Sequence, residues 1–370
     1  MTHVGDAAVD LLQELVAIDS VNPGLVPGAV GETSIIHFLE SRLAKAGFTT
    51  TIVTPHSRPD RPSLLAVGPG PVEWPAIVLN GHVDTVGVEG MPTPFTPRID
   101  GDRLYGRGAA DMKGGVSGIV AAAEAIAADG SPVRPVLALV ADEEDASIGS
   151  AAVIEALPRC GINPKLCLIS EPTDLAISRS LRGFGVVKVT FPGRACHSSQ
   201  PENGINAITH MSRFLGAVDQ RSREIQAKGG DFMVTSVSGG LSTFVVPDSA
   251  ECIVEMRTTP TQVGAETLDE VQALLDSEWN ATAELTLARD GWQLDDSGPA
   301  AEFARELASH LGTGPTFDAP YWMEAPMWQG ACPTLICGPS GGGLHAIDEW
   351  VSLDQVWSFA EGLAATLRSI

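Results

Sequence analysis

The sequence predicts an α/β protein with a large doubly wound domain, a mostly parallel sheet, and a smaller ferredoxin-like α+β domain inserted into it. Three observations predict this. Short apolar runs alternate with helical stretches up to about residue 176. Near residue 177 the pattern changes to longer, alternating, half-buried strands. After about residue 290 the first pattern returns. The boundaries expected from these changes are 1–176 with 291–370 for the large domain and 177–290 for the insertion. A chain of 370 residues also exceeds what one ordinary core supports.

Residues 6–18 and 33–46 have helical periodicity. In the second, Ile35, Ile36, Leu39 and Leu43 recur at helical spacing and Gly47 follows as a stop. AIVLN (76–80) reads as a buried strand and GGVSGIVAAAEAIAADG (114–130) as a helix. PVLALVAD (135–142) is the next strand, SIGSAAVIEAL (147–157) a helix and KLCLIS (165–170) another strand. Continuous apolar strands alternating with helices belong to a sheet covered on both faces. From residue 177, SRSLRGFGVVKVTFPG alternates like a strand pair with one wet face. A helix at about 204–227, MVTSVSGG, SAECIVEMRTTP, a helix at about 265–278 and AELTLAR follow. That order is β-α-β-β-α-β. TLICG (334–338) is again a short buried strand. The last helix carries Leu353, Val356, Trp357, Ala360, Leu363, Ala364 and Leu367 on one face.

Charge narrows the function. The chain has 23 basic and 46 acidic residues, a formal net of −23. Such a surface repels phosphate backbones and anionic lipid, so neither nucleic acid nor membrane is an expected partner. The start, MTHVGDAAVDLLQELV, lacks a basic region followed by an apolar run. The six cysteines show no close C-x-x-C pair and are expected to be reduced thiols. Together these point to a cytoplasmic protein.

Five places end a strand or open a helix with a potential metal ligand. NGHVDTV (80–86) follows the first buried strand, and His82 and Asp84 share a face at i and i+2. Alone, H-x-D fits a capped turn as well as a ligand pair. In GRGAADMKGG (106–115), Asp111 stands before a glycine pair, where a helix N-cap is the plain alternative. ADEED (141–145) follows the apolar run LALV. Adjacent carboxylates in one cleft repel unless a cation sits between them, although a short acidic run is commonly a solvated loop. Glu171 ends the strand KLCLIS, and His345 stands behind three glycines in GGGLHAIDEW. Ligands of open α/β sheets bind at the carboxyl ends of the strands. His, Asp, Glu-Glu, Glu and His at successive ends form the mixed nitrogen and oxygen donor set of a two-metal site.

These five motifs, in this order, resemble the zinc metallopeptidase family that includes acetylornithine deacetylase, succinyl-diaminopimelate desuccinylase, aminoacylase and carboxypeptidase G. The likeness covers nearly the whole chain. WMEAPMWQGACPTLICGPSGGGLHAIDEW and GRACHSSQPENGINAI most resemble the acetylornithine deacetylase branch. The resemblance implies two Zn2+, with Co2+ able to substitute. His82 would bind one ion and His345 the other, with Asp111 shared and Glu144 and Glu171 completing one each. Asp84 would orient His82. Glu143 would be the general base that takes a proton from the attacking water and carries it to the leaving nitrogen. The resemblance also implies a homodimer built by the inserted domain, with His197 reaching the neighbouring site to hold the oxyanion. Arg257 would receive the substrate carboxylate, and Gly342 would line the substrate.

The chain departs from the family pattern in two places. The family's G-G-x-x-x-N before V-P-D reads GGLSTFVVPD here, so Phe244 stands where a substrate-touching asparagine is usual. A hydrophobic substrate portion and a displaced loop both account for that. The glycine usual before Glu171 is Ser170. Glu324 in WMEAP either reads a substrate amine or is a helix-end charge; Trp322 and Trp328 either wall the pocket or belong to the core. The expected activity is removal of an N-acyl group from an amino acid or small amine. A dipeptidase or carboxypeptidase with the same metals is the alternative, and a catalytically silent relative a more distant one. No member of the ligand and base set is missing, which argues against the silent relative.

Overall fold

A computed structural model of the chain describes residues 3–312 and 316–370. The chain folds into two compact units. The larger holds residues 1–178, 294–317 and 323–370; the smaller holds 179–293 and 318–322. The sequence pattern places 318–322 in the large domain. These residues instead cluster with the small unit, where Asp318 accepts from Arg179 and from Ser180 at 2.7 Å each.

The large unit is built on a six-stranded sheet. Its spatial order is Thr49–Val53, Ser63–Val67, Arg134–Val140, Ala76–His82, Pro164–Ile169 and Thr334–Ile336. The last four are parallel. Ser63–Val67 runs antiparallel to both its neighbours, Arg134–Val140 and Thr49–Val53, so Thr49–Val53 runs in the same direction as the last four. The expected mostly parallel sheet is present, and its one reversed strand, Ser63–Val67, makes it mixed. Both Thr49–Val53 and Ser63–Val67 are short; Ser63–Val67 is buried, whereas Thr49–Val53 is largely exposed and threonine-rich and gives no apolar run. Ala76–His82 and Arg134–Val140 are buried along their whole length. Leu79, Leu137 and Leu168 form the centre of the core. Truncating one of these to alanine would cost about 2–5 kcal/mol.

Helices Val4–Val16, Gly114–Asp129 and Leu353–Arg368 pack together, with Leu12, Ala121 and Ala360 in one shared cluster. Gly114–Asp129 is rich in alanine and glycine because other chain passes close to it. A Cβ on Gly115 would lie 2.0 Å from the carbonyl oxygen of Ser170. This contact brings the residue before Glu171 against the helix that follows Asp111. Among the described residues no helix is long and apolar enough to cross a membrane, and all six cysteines are free.

The small unit contains a four-stranded antiparallel sheet in the order Asp231–Gly239, Ser249–Arg257, Phe184–Pro192, Thr282–Arg289. In chain order this is β-α-β-β-α-β, with helices Ala207–Gln226 and Glu266–Gln272 as the crossovers. Phe184–Pro192 and Ser249–Arg257 alternate strictly. Val187, Val189, Phe191, Cys252, Val254 and Met256 lie buried beneath Phe214 and Val218 of the long helix. Asn206 caps that helix by accepting from the Thr209 backbone N–H at 3.1 Å.

Candidate metal centre

Five segments of the large unit carry the donor side chains, and three of them lie at the carboxyl end of a parallel strand or just beyond it. His82 is the last residue of its strand, and its neighbour in the sheet is Val140. Directly after that neighbour come Ala141, Asp142, Glu143 and Glu144. Glu171 follows Pro164–Ile169 by two residues, and His345 follows the last parallel strand. Asp111 lies outside the sheet, in a turn just before the Gly114–Asp129 helix, with φ −119° and ψ 93°. The peptide bond that follows it is cis.

Asp111 stands between the two imidazoles. Its Oδ1 lies 3.1 Å from His82 Nε2 and its Oδ2 lies 3.3 Å from His345 Nε2. His345 Nε2 is also 3.2 Å from Glu144 Oε2. His82 Nε2 is 3.9 Å from both Glu143 Oε2 and Glu171 Oε1. The donor atoms form two overlapping groups, His82 with Glu143 and Glu171, and His82 with Asp111 and Glu144, each within 4.8 Å. The structure therefore brings together His82, Asp111, Glu143, Glu144, Glu171 and His345.

The electrostatics are those of a crowded, dry cluster. Burial, and then the Glu171 charge, push the Glu143 carboxyl well above its usual range. Burial and the nearby Asp111 do the same to Glu171, and burial also raises Glu144. Burial opposes protonation of His82, yet the carboxylates of Asp111, Glu171 and Glu143 more than offset it and hold its pKa well above normal. Contact with Asp111 and then Glu144 raises His345 to about 10. Asp111 goes the other way, because its contacts with His345 and His82 outweigh burial and hold it well below normal. Like charges forced together beside imidazoles are what a divalent cation resolves, and nitrogen with carboxylate oxygen suits zinc and its neighbours. The residues fit such an ion.

Asp84 lies beside His82 Nδ1. His82 Nδ1 faces the backbone oxygen of Asp84 at 3.1 Å, with the carboxylate at 3.6 Å. The carboxylate instead accepts from the backbone N–H of Glu143 at 3.1 Å and of Glu144 at 3.2 Å, and from Asn22 Nδ2 at 2.8 Å. Asn22 also donates to Asp142, which the fully buried Arg61 holds at 2.7 Å. Arg61 pairs on its other side with Glu32. The acidic loop is thus suspended from a buried network, and Asp142 adopts a left-handed φ of 69° within it. Lys113 is also buried. Its Nζ donates to the carbonyls of Leu15 and Ile18 at 3.0 and 2.8 Å, where a cation suits a helix C-terminus.

Sequence reasoning missed Asn22, Arg61, Lys113 and Glu349. Glu349 stands four positions after His345 and one residue before a strand, and nothing in the local sequence marks it. Glu324 is 1% exposed. Its Oε2 accepts from Ser150 Oγ at 2.5 Å, and Trp328 Nε1 donates to the same hydroxyl at 3.1 Å. Trp328 is core, whereas Trp322 clusters with the small unit and donates to the Asp290 carbonyl at 3.1 Å. Gly342 pairs with Trp350, whose indole leaves no room for a Cβ there. Ser170 donates its hydroxyl to the Asn80 carbonyl at 3.0 Å and fits without disturbance.

His197, Phe244 and Arg257 belong to the small unit. His197 is exposed, with Nδ1 2.8 Å from Ser199 Oγ. Phe244 is 67% exposed, and its carbonyl accepts from the Ser198 N–H at 2.9 Å. Arg257 donates Nε to Glu255 at 2.6 Å and lies over the Phe184 ring at 4.9 Å.

The chain is similar to known proteins in sequence and in fold. The model described as "Peptidase family M20/M25/M40" matches residues 78–369. A succinyl-diaminopimelate desuccinylase of Sphingopyxis alaskensis is 29% identical over 373 residues, covering 94% of each chain. An acetylornithine deacetylase of Vibrio vulnificus is 28% identical over 384 residues, covering 97% of each. These two likenesses are nearly equal, so they do not single out the deacetylase branch. Among solved structures, the Bacillus subtilis YXEP protein, titled a dinuclear metal binding peptidase from the M20 family, superposes with a TM-score of 0.72 at 16% identity, covering 99% of each chain.

Proposed function

The chain belongs to peptidase family M20/M25/M40, and from that premise we propose that it is a two-zinc deacylase of N-acyl amino acids. That it is a hydrolase of this family, with relatives that cleave amide bonds, follows from the matches themselves. The observation that carries the finer reading is Asp111, with one carboxylate oxygen beside each imidazole. His82 and Glu171 with Asp111 would hold one ion; His345 and Glu144 with Asp111 would hold the other. The Bacillus neighbour's description as a dinuclear metal binding peptidase agrees with this assignment.

Ions held there supply Lewis acidity toward a carbonyl and a water that is acidic near neutral pH. The rest is done by side chains of this chain. Glu143 takes the proton from the attacking water and delivers it to the leaving nitrogen. Asp84 keeps Glu143 and Glu144 at a fixed separation through their backbone N–H groups. Arg257 offers the substrate carboxylate the guanidinium N–H groups that Glu255 does not take. Phe244, in place of an amide, favours an apolar portion of the substrate.

The chain is proposed to pair with a second copy through the small unit and to lend it His197. The support is the strand Asp231–Gly239, an edge of its sheet that leaves Met233 and Val237 43% and 54% exposed.

The test is hydrolysis of a panel of N-acetyl, N-succinyl and N-formyl amino acids and dipeptides, with zinc or cobalt added and with chelator as control. Chelator-sensitive release of a free amino acid from N-acyl substrates supports the reading. Cleavage confined to dipeptides replaces it with a dipeptidase. An absence of metal-dependent cleavage across the panel sinks it.

A further inference from the structure

We propose that Glu349 is the positioning residue that fixes where Asp111 presents its carboxylate, and with it the separation of the two cation positions. This rests on the reading of Asp111 as the ligand shared by both. Glu349 is 1% exposed. Its Oε2 accepts from Arg107 Nη1 at 2.7 Å and from the Gly108 N–H at 3.0 Å. Its Oε1 accepts from the N–H groups of Ala110 at 3.0 Å and Asp111 at 3.1 Å. A carboxylate has about four acceptor sites, so this one is fully used. It has nothing left for an ion or a substrate.

Three of the four donors are main-chain groups of the segment that carries Asp111. That segment is irregular: Gly108 is left-handed at φ 77°, and Asp111 and Met112 have non-helical angles. A Cβ on Gly108 would lie 2.6 Å from Thr85 Cγ2, so only glycine fits this turn. An irregular segment lacks a ladder to satisfy its buried N–H groups, and a buried N–H without a partner is costly. Glu349 provides those partners, so rotating the Asp111 backbone would break several bonds at once.

The same residue reaches the other side of the site. The Glu349 carbonyl accepts from the Gly106 N–H at 3.2 Å. The next residue, Trp350, pairs with Tyr105 on one side and Gly342 on the other. One short strand therefore joins the segment leading into Asp111 and the glycines leading into His345. Asp111 Oδ2 and His345 Nε2, which face each other at 3.3 Å, are mounted on a common support.

The test is Glu349→Gln. Glutamine keeps the shape but turns an NH2 toward N–H donors. Zn2+ and Co2+ binding to the metal-free protein is measured by calorimetry, with the visible Co2+ spectrum, at a temperature where circular dichroism shows both proteins folded. Binding of at least one ion weakened by about tenfold or more, with an altered Co2+ spectrum, is the expected result. A variant that melts earlier but binds both ions with wild-type affinity and spectrum would reduce Glu349 to a brace of the fold and overturn the proposal. Should the variant not fold, hydrogen exchange on metal-free wild-type protein decides. Peptides covering 106–113 are expected to exchange slowly, and exchange at open-loop rates overturns it equally. If wild-type protein binds no ion, the reading of the site falls, and the exchange result still reports on the Glu349 bonds.

Discussion

The two units treat their functional candidates in opposite ways. In the large unit the segments carrying Glu143 and Glu144, Asp111 and Glu171 are tied down, while the His345 side chain is half exposed. Asp84 holds the backbone of Glu143 and Glu144, Glu349 holds the backbone of Asp111, and Ser170 presses against Gly115 beside Glu171. In the small unit His197 and Phe244 are exposed, and Arg257 is engaged by Glu255, two residues away, and by the Phe184 ring. Electrostatic stabilisation works best when the groups are fixed before the reaction, because no reorganisation is then needed. Residues that select or cover a substrate can instead wait for it on the surface. The contrast fits the proposed function, in which the chemistry belongs to the large unit and recognition to the small one.

The sharpest way to break this contrast is Glu143→Ala. Turnover is expected to fall by roughly 10²–10⁴-fold while two equivalents of metal remain bound. Wild-type turnover, or loss of metal, would take the base role away from Glu143.

His197→Ala comes next. Loss of one group that holds the oxyanion costs about 10²–10³ in turnover. Mixing this variant with Glu143→Ala should restore part of the activity if His197 serves a second copy. Continued inactivity, once subunit exchange has been verified, would place His197 outside a shared site.

Glu324 tests the large unit through stability. Burial pushes its carboxyl from 4.5 up to about 7. Below about pH 4.5 it is protonated in both the folded and the unfolded chain. Between about 4.5 and 7 the unfolded chain ionises first, so stability falls across that window and stays reduced above it, by roughly 3 kcal/mol. Glu324→Gln of the metal-free protein should therefore gain on wild type from pH 4.5 to pH 8, as read by denaturant unfolding. A pH-independent difference would show that burial does not govern this carboxyl. A large rise in KM for cationic substrates would support its reading of a substrate amine.

The smallest effect is expected at Phe244. Phe244→Asn should shift preference from apolar toward polar acyl amino acids by less than about tenfold in kcat/KM. An unchanged ranking would identify Phe244 as a surface residue.

Much of this site was legible in the sequence because its parts sit at the ends of recognisable strands. His82, the acidic run and Glu171 each follow an apolar run whose direction and burial are readable. The first two strands, Thr49–Val53 and Ser63–Val67, were not, because they are short and one is exposed. The supports were illegible for another reason. Glu349 lies 238 positions from Asp111, and Asn22 lies 120 from Asp142. An acidic residue that serves backbone N–H groups leaves no local pattern, since its partners have no side-chain signature. Asp84 was legible as a residue of the site, but the direction of its carboxylate depends on a loop some 59 residues away.

One feature of the small unit bears on how such a chain could arise. Its incoming strand, Ser178–Leu181, pairs antiparallel with its outgoing strand, Trp292–Gln293, through Leu181 and Trp292. The two ends of the insertion thus lie side by side. A module whose ends meet can be gained, lost or exchanged by recombination without rerouting the host backbone. The segment 318–322 limits that freedom, because Asp318 and Trp322 clip onto Arg179 and Asp290. Any exchange of the module would have to carry this second strip with it, as a matched pair of gene segments.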